Sequence, residues 1–197
     1  IRGTMSADVL WVLDRVVLGG GGKPRLHEVS VEVKVGITAV LGWSGAGKTS
    51  LLNVLVGFER PDAGTIRGTA KVAWVPQNGG LWPHCTVREH LELTGARGDQ
   101  CAELLEIFDL AERAAVRPGD LSEGEQSRLS IARALATPAN VLVMDEPLSH
   151  VDPARVGNYW QAIRERVATR GCSLVFPRMN QRPRWHMGRT SFAFAKA

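Results

Sequence analysis

Lys48 and Thr49 stand directly after a glycine-rich stretch, Gly42-Trp43-Ser44-Gly45-Ala46-Gly47, and directly before an apolar run, Ser50-Leu51-Leu52-Asn53-Val54-Leu55-Val56. The spacing G-x-x-x-x-G-K-[ST] gives each residue type a task. Gly42, Gly45 and Gly47 let the backbone enter tight, positive-φ conformations, so that successive N–H groups point inward around a phosphate. A helix opening near Lys48 adds its unpaired N-terminal N–H groups and its dipole. Lys48 can reach β- and γ-phosphates, and the Thr49 hydroxyl can sit on Mg²⁺. A glycine turn that binds nothing is the bland alternative. The strand-like Ile37–Leu41 before the loop and the helix-like run after it favour a nucleoside triphosphate site over Gly42–Ser50.

A second centre is acidic. Val141-Leu142-Val143-Met144 is an apolar run that ends in Asp145-Glu146-Pro147. A carboxylate at the end of a buried strand suits a Mg²⁺ ligand, which assigns Asp145. Glu146, one residue on, is placed to polarise an attacking water as general base. Alone, such a pair often marks only a strand end; the phosphate loop upstream gives it a function. Two further sites stay open on residue types alone. Gln77, after the strand-like Trp74-Val75, is ambiguous alone, since a glutamine before a loop is usually a solvated or capping amide. Leu121-Ser122-Glu123-Gly124-Glu125-Gln126 opens a helix with serine and glycine at its tip, an anion site or an ordinary capping box of Ser122 and Glu125.

Alternating elements must position these residues. Val9–Leu13 reads as a short strand, followed by Val16 to Gly22, which closes in four glycines as a flexible turn. Leu26–Val33 alternates on Val29, Val31 and Val33 and pairs with it as an antiparallel element. Ile37–Leu41 has few polar side chains and is expected to be buried on both faces. Thr65–Gly68 and Lys71–Val75 are further strands. Thr86-Val87-Arg88-Glu89 is a capping box that starts a helix, and Ala102–Leu110 is a second amphipathic helix. Asp152-Pro153 caps a long helix that ends near Gly171. Ser173–Phe176 and Thr190–Phe194 finish as strands. Strands alternating with helices imply an α/β core with a largely parallel sheet. We divide it into a core of residues 1–77 and 121–197 and a helical insert of residues 78–120. Ile1-Arg2-Gly3-Thr4, ahead of Met5, are set aside from the fold reading.

The composition bounds the function. The 197 residues, 44% hydrophobic and 22% charged, suit a globular domain. The net charge of +4 is concentrated late in the chain, at Arg164, Arg166, Arg170, Arg178, Arg182, Arg184 and Arg189. With no basic-aromatic readout module, it reads as a solvated face, and no nucleic-acid partner is expected. Three cysteines, Cys85, Cys101 and Cys172, give an odd number without metal-ligand spacing and suggest a reducing compartment. No apolar run approaches a membrane span and no signal peptide is expected.

In this order, Gly42–Thr49, Gln77, Leu121–Gln126, Val141–Pro147 and Ser149-His150-Val151-Asp152 resemble the ATP-binding cassette (ABC) ATPases. Ser127–Leu135 is similar to the helix after that family's signature. The resemblance implies a P-loop NTPase core of ABC type with an antiparallel β subdomain and a small α-helical insert. It implies ATP and Mg²⁺ as cofactors, and a homodimer paired head to tail, with each ATP between one copy's phosphate loop and the other's signature. Ser122 and the Gly124 backbone would then contact the partner's γ-phosphate, Gln77 would approach Mg²⁺ and water, and Asp152 would lie in a loop crossing the dimer interface. Gly80–Val87 is similar to the loop after this glutamine in importer-type ATPases. The implied function is the ATP-hydrolysing subunit of a membrane transporter, cytoplasmic and peripheral on the inner face of the membrane through separate permease subunits. The alternative is an ATP-dependent regulatory or assembly switch with weak hydrolysis. A repair or translation ATPase of the same superfamily would need extra domains.

Three departures from the family pattern bear on rate and selectivity. Glu123 and Glu125 replace signature residues that are usually glycine and glutamine, adding charge that repels a triphosphate unless it points away; Glu125 is free to cap its own helix, leaving Glu123 the more consequential. Pro177-Arg178-Met179 stands where Thr-His-Asp is common, so Arg178 replaces a γ-phosphate histidine; it can hold phosphate but cannot relay a proton. His186 lies too far along to substitute. Finally, Val16-Val17-Leu18 offers no aromatic residue to stack on adenine and Trp11 lies earlier, which predicts poor adenine selectivity.

Overall fold

Short-range alternation and end signals dictate most of the elements in the computed structural model, which describes residues 8–20, 22–68, 70–178 and the backbone of 190–194. The chain divides into two compact units, Ile1–Val72 with Ser173–Ala197, and Ala73–Cys172.

The first unit holds two sheets. β1 (Val9–Leu18) is central in an antiparallel sheet of order β2-β1-β4, with β2 (Leu26–Lys34) and β4 (Ala63–Arg67) beside it. It runs past the expected end at Leu13. The reason is a bulge: Arg15 takes φ 46, and the register shifts between Leu13 and Val16 against β2 and between Asp14 and Val17 against β4. An extra residue there breaks the period-two pattern while pairing continues on both sides. Gly64 closes on this bulge, since a Cβ at its φ of +83 would lie 2.2 Å from the Arg15 carbonyl oxygen. β3 (Ile37–Leu41) runs parallel to both β7 (Ser173–Arg178) and β8 (Thr190–Phe194). Thr38, Ala39 and Val40 are buried on that central strand, as its apolar sequence predicts. β3 feeds α1 (Lys48–Leu55), whose Leu51, Leu52, Val54 and Leu55 are buried.

The second unit packs helices around β5 (Val72–Val75) and β6 (Val141–Met144). α2 (Val87–Thr94) starts at the expected capping box: Thr86 Oγ1 accepts from the Glu89 N–H and Glu89 accepts from the Thr86 N–H. α3 (Asp99–Ile107) begins and ends earlier than the sequence pattern predicts, because Asp109 turns to φ 50 and the Leu110 N–H reaches back to the Leu105 carbonyl. α4 (Glu123–Ala136) buries Leu129 through Ala136. α5 (Pro153–Arg170) is capped by Asp152, whose side chain accepts from the Ala154 N–H at 2.9 Å, and ends on Gly171 at φ 62, both as expected. No helix among the described residues is long and apolar enough to cross a membrane.

Phe108 is the largest fully buried side chain of this unit and lies 5.7 Å from the Tyr159 ring, nearly parallel to it. Tyr159 in turn donates to Asp109, which also pairs with Arg155 at 2.9 Å. Phe108→Ala is expected to cost about 3–5 kcal/mol, measured as the shift in a urea-unfolding midpoint.

Candidate functional site

The phosphate loop is shaped by its glycines. Gly45 and Gly47 sit at φ 80 and φ 78, the left-handed region that favours glycine. At Gly47 the demand is doubled, because a Cβ would lie 2.3 Å from the Arg25 carbonyl oxygen. Gly47 is also the N-cap of α1, with no side chain capping the helix and no acidic residue in its first turn. The first N–H groups of α1 therefore lack a side-chain acceptor and suit an anion. Lys48 folds back over the loop, its Nζ donating to the Gly42 carbonyl at 3.1 Å and the Trp43 carbonyl at 2.8 Å. Thr49 is exposed, Ser50 is buried, and Trp43 is 70% exposed. Ser44 is exposed and Ala46 buried. This cradle fits a polyphosphate.

Arg178 meets the same loop through its backbone. It lies opposite Leu41 in the β3–β7 register, and the Gly42 N–H points at its carbonyl at 3.4 Å. Met179 and His186 lie outside the described residues. Trp11 is no base platform: it is buried in β1, where a Cβ on Gly68 would lie 2.4 Å from its ring.

In the second unit, Asp145 follows four buried residues of β6 and is itself only 2% exposed, its N–H donating to the Val75 carbonyl at 2.8 Å. A buried carboxylate at a strand end matches the donor chemistry of a Mg²⁺ ligand. Glu146 is exposed and takes φ 48. A non-glycine residue in that region costs about 1–3 kcal/mol, which the surrounding structure must offset; Arg15, Glu28 and Asp109 share it. Gln77 is exposed on the turn after β5.

The turn after Gln77 is fastened from α4, by residues whose part the sequence does not reveal. Ser130 Oγ donates to the Gly79 carbonyl at 3.0 Å, and Arg133 donates to Gly80 at 2.5 Å and Gly79 at 3.2 Å. Arg133 also lies over the Trp82 ring at 5.3 Å. The Trp82 ring stacks on His90, and the Trp82 backbone N–H donates to His90 Nε2 at 2.9 Å, which leaves Nδ1 to donate to the Thr86 carbonyl at 2.7 Å. Burial pushes the His90 pKa down, consistent with this neutral tautomer.

At the tip of α4 the capping box is present. Ser122 Oγ accepts from the Glu125 N–H at 3.3 Å and donates to Glu125 Oε2 at 2.8 Å. The Ser122 N–H, then the Ser122 hydroxyl and Arg113 hold the Glu125 carboxyl below its usual range. Glu125 thus turns into its own helix. Glu123 stays 81% exposed, 3.2 Å from His150 Nδ1. Gly124 lies under the His150 carbonyl, 3.0 Å from where a Cβ would be, and its own carbonyl accepts from Arg128 Nε at 3.3 Å.

Comparison with known proteins agrees with these features. The profile of the family described as ABC transporter matches residues 26–149. The Fe(3+) ions import ATP-binding protein FbpC of Pseudomonas fluorescens is 34% identical, over 79% of this chain and 50% of that protein. The Nod factor export ATP-binding protein I of Paraburkholderia xenovorans is 37% identical, over 79% of this chain and 58% of that protein. The chain spans about half the length of the curated relatives it matches. A solved dimeric structure of the ATP-binding cassette MJ0796, in a post-hydrolysis state bound to ADP and Pi, shares the fold with a TM-score of 0.74 at 23% identity, covering 87% of this chain and 88% of that one.

Gly47→Ala is expected to abolish nucleotide binding and to destabilise the first unit by at least about 1–3 kcal/mol, from the strained φ alone. Thermal melts with and without Mg–ATP check both: the variant melts lower and no longer shifts on adding nucleotide.

Proposed function

The chain belongs to the ABC transporter family, and on that premise we propose that it is an ATP-binding and ATP-hydrolysing subunit that powers a membrane transporter. The observation that carries this reading is the loop Gly42–Gly47 running into an α1 terminus free of side-chain caps, with Lys48 Nζ drawn over it. The N–H groups of Gly42–Ser50 would bind the phosphates and Lys48 would neutralise them, with Thr49, Gln77 and Asp145 as the ligand set for Mg²⁺. Bound Mg²⁺ supplies charge neutralisation on the terminal phosphates. Glu146 takes a proton from water at its carboxylate, and Arg178 holds the γ-phosphate side without relaying a proton.

Ser122, Gly124 and Asp152 would complete the site of a second copy in a head-to-tail homodimer. Residues 78–120 would form the helical subdomain of a core made by residues 1–77 and 121–197, and Gln77 would carry the nucleotide state to a permease subunit. The protein would then sit peripherally on the inner face of the membrane, with no nucleic-acid partner. Relatives named for import and for export match at similar identity, as expected if the permease sets substrate and direction.

A second reading, an ATP-dependent switch with weak hydrolysis, is favoured by one specific observation. The Ser122 hydroxyl is engaged by Glu125 in its own helix cap, while Glu123 faces outward.

Steady-state hydrolysis decides between the two. Under the transporter reading, Glu146→Gln lowers turnover about 10²–10⁴-fold, the usual worth of a general base, and leaves ATP affinity in place. Wild type turning over no faster than Glu146→Gln supports the switch. Arg178→Ala is expected to weaken ATP binding and lower an already slow turnover; brisk turnover unaffected by Arg178→Ala would contradict the assigned role.

A further inference from the structure

A phosphate loop holds only the tail of a nucleotide, and the base needs a surface of its own. The strand and hairpin leading to the loop offer no exposed aromatic ring: Val16 and Leu18 are buried, and Trp11 is packed against Gly68. Arg25 supplies a different flat surface. Its backbone is the group pressed against Gly47 at the mouth of α1, 2.3 Å from a would-be Cβ, with Leu26 behind it at 3.1 Å. The side chain is then anchored on three N–H groups. Nε donates to the Gly19 carbonyl at 2.8 Å, Nη1 donates to Glu59 Oε1 at 3.1 Å, and Nη2 donates to Glu59 Oε2.

Both anchors are themselves held. The Gly19 N–H donates to Asp62 at 2.5 Å, and Glu59 accepts from Asn53 Nδ2, on α1, at 2.8 Å. The three bonds that Arg25 donates leave from the rim of the guanidinium, whose N–H groups point outward in its own plane, so they hold its orientation from the edge rather than from its faces. The Arg25 side chain remains 44% exposed. Glu59 offsets its charge, which suits a neutral ring more than another phosphate. Preorganised planes of this kind stack on bases, and every base has a π-face to offer.

We propose that the Arg25 guanidinium, clamped by Glu59 and Gly19 on a residue whose backbone packs against Gly47, is the surface on which the base of the bound nucleotide stacks. The proposal rests on the triphosphate reading of the loop and deepens it. Three of the five Arg25 N–H donors are engaged by Glu59 and Gly19, and a guanidinium stacked on a base reads its face and not its edge. ATP and GTP are therefore expected to bind with similar affinity.

Calorimetric titration of the full chain with Mg–ATP, Mg–GTP and Mg–tripolyphosphate tests this. Arg25→Ala is expected to weaken ATP and GTP about tenfold, the worth of one stacked base, and to leave tripolyphosphate unchanged. Arg25→Tyr restores ATP binding by offering another flat face; Arg25→Lys, which has none, does not. Equal losses for ATP and tripolyphosphate in Arg25→Ala would show that Arg25 only packs the loop and would overturn the proposal. So would unchanged ATP affinity, which reduces Arg25–Glu59 to a surface ion pair, or loss of ATP affinity confined to Phe58→Ala, since Phe58 is the exposed ring beside Glu59. If wild type binds neither ATP nor tripolyphosphate, the triphosphate reading itself fails and the platform falls with it. Binding of tripolyphosphate with no gain for ATP sinks the platform alone.

Discussion

One backbone-on-backbone contact sets the geometry of the first unit. The Arg25 carbonyl occupies the volume that any side chain at position 47 would need, so the turn from β3 into α1 closes only with glycine there. That contact pins the start of β2 to the start of α1, and fixes where the first free N–H groups of the helix emerge. Lys48 follows as the next residue, and its Nζ crosses the loop to two carbonyls. β3 lies between two parallel neighbours, and a buried parallel strand delivers its C-terminal loop at a defined edge of the sheet.

In the second unit the corresponding role falls to α4. A single helix carries the Ser122–Glu125 cap at its tip, Arg128 on the Gly124 carbonyl, and Ser130 and Arg133 on the carbonyls of Gly79 and Gly80. An arginine as buried as Arg133 is tolerable because those carbonyls and the Trp82 face satisfy it; left unpaired it would be strongly destabilising. The glycines at 79 and 80, at φ 74 and φ 57, are what let both carbonyls turn toward the helix. The loop after Gln77 and the segment after Leu121 are thereby parts of one hydrogen-bonded assembly.

Much of this was legible from residues in order, and the reason is locality. Helix starts at Thr86, Ser122 and Asp152 are written in side chains within three residues of the cap. The α1 terminus is written in the glycine spacing that makes it, and the buried strands in their unbroken apolar runs. β1 was less legible beyond Leu13, because a bulge at Arg15 scrambles the alternation that marks a strand. The end of α3 was missed because Asp109 leaves the helix to satisfy Arg128, Arg155 and Tyr159, which lie 19, 46 and 50 positions later.

The sequence by itself determined the chemistry of the phosphate loop, the acidic strand end and the capping serines, since each depends on neighbours a few bonds away. Tertiary structure alone brought Arg113 onto the Glu125 side of the cap and set Glu123 in solvent beside His150. It alone decided that Arg133 holds the turn after Gln77, and that Arg25 is a fixed plane rather than a solvated chain. Those outcomes rest on partners 6 to 54 residues away. An arginine or a glutamate carries the same charge wherever it stands, and only the fold decides what that charge meets.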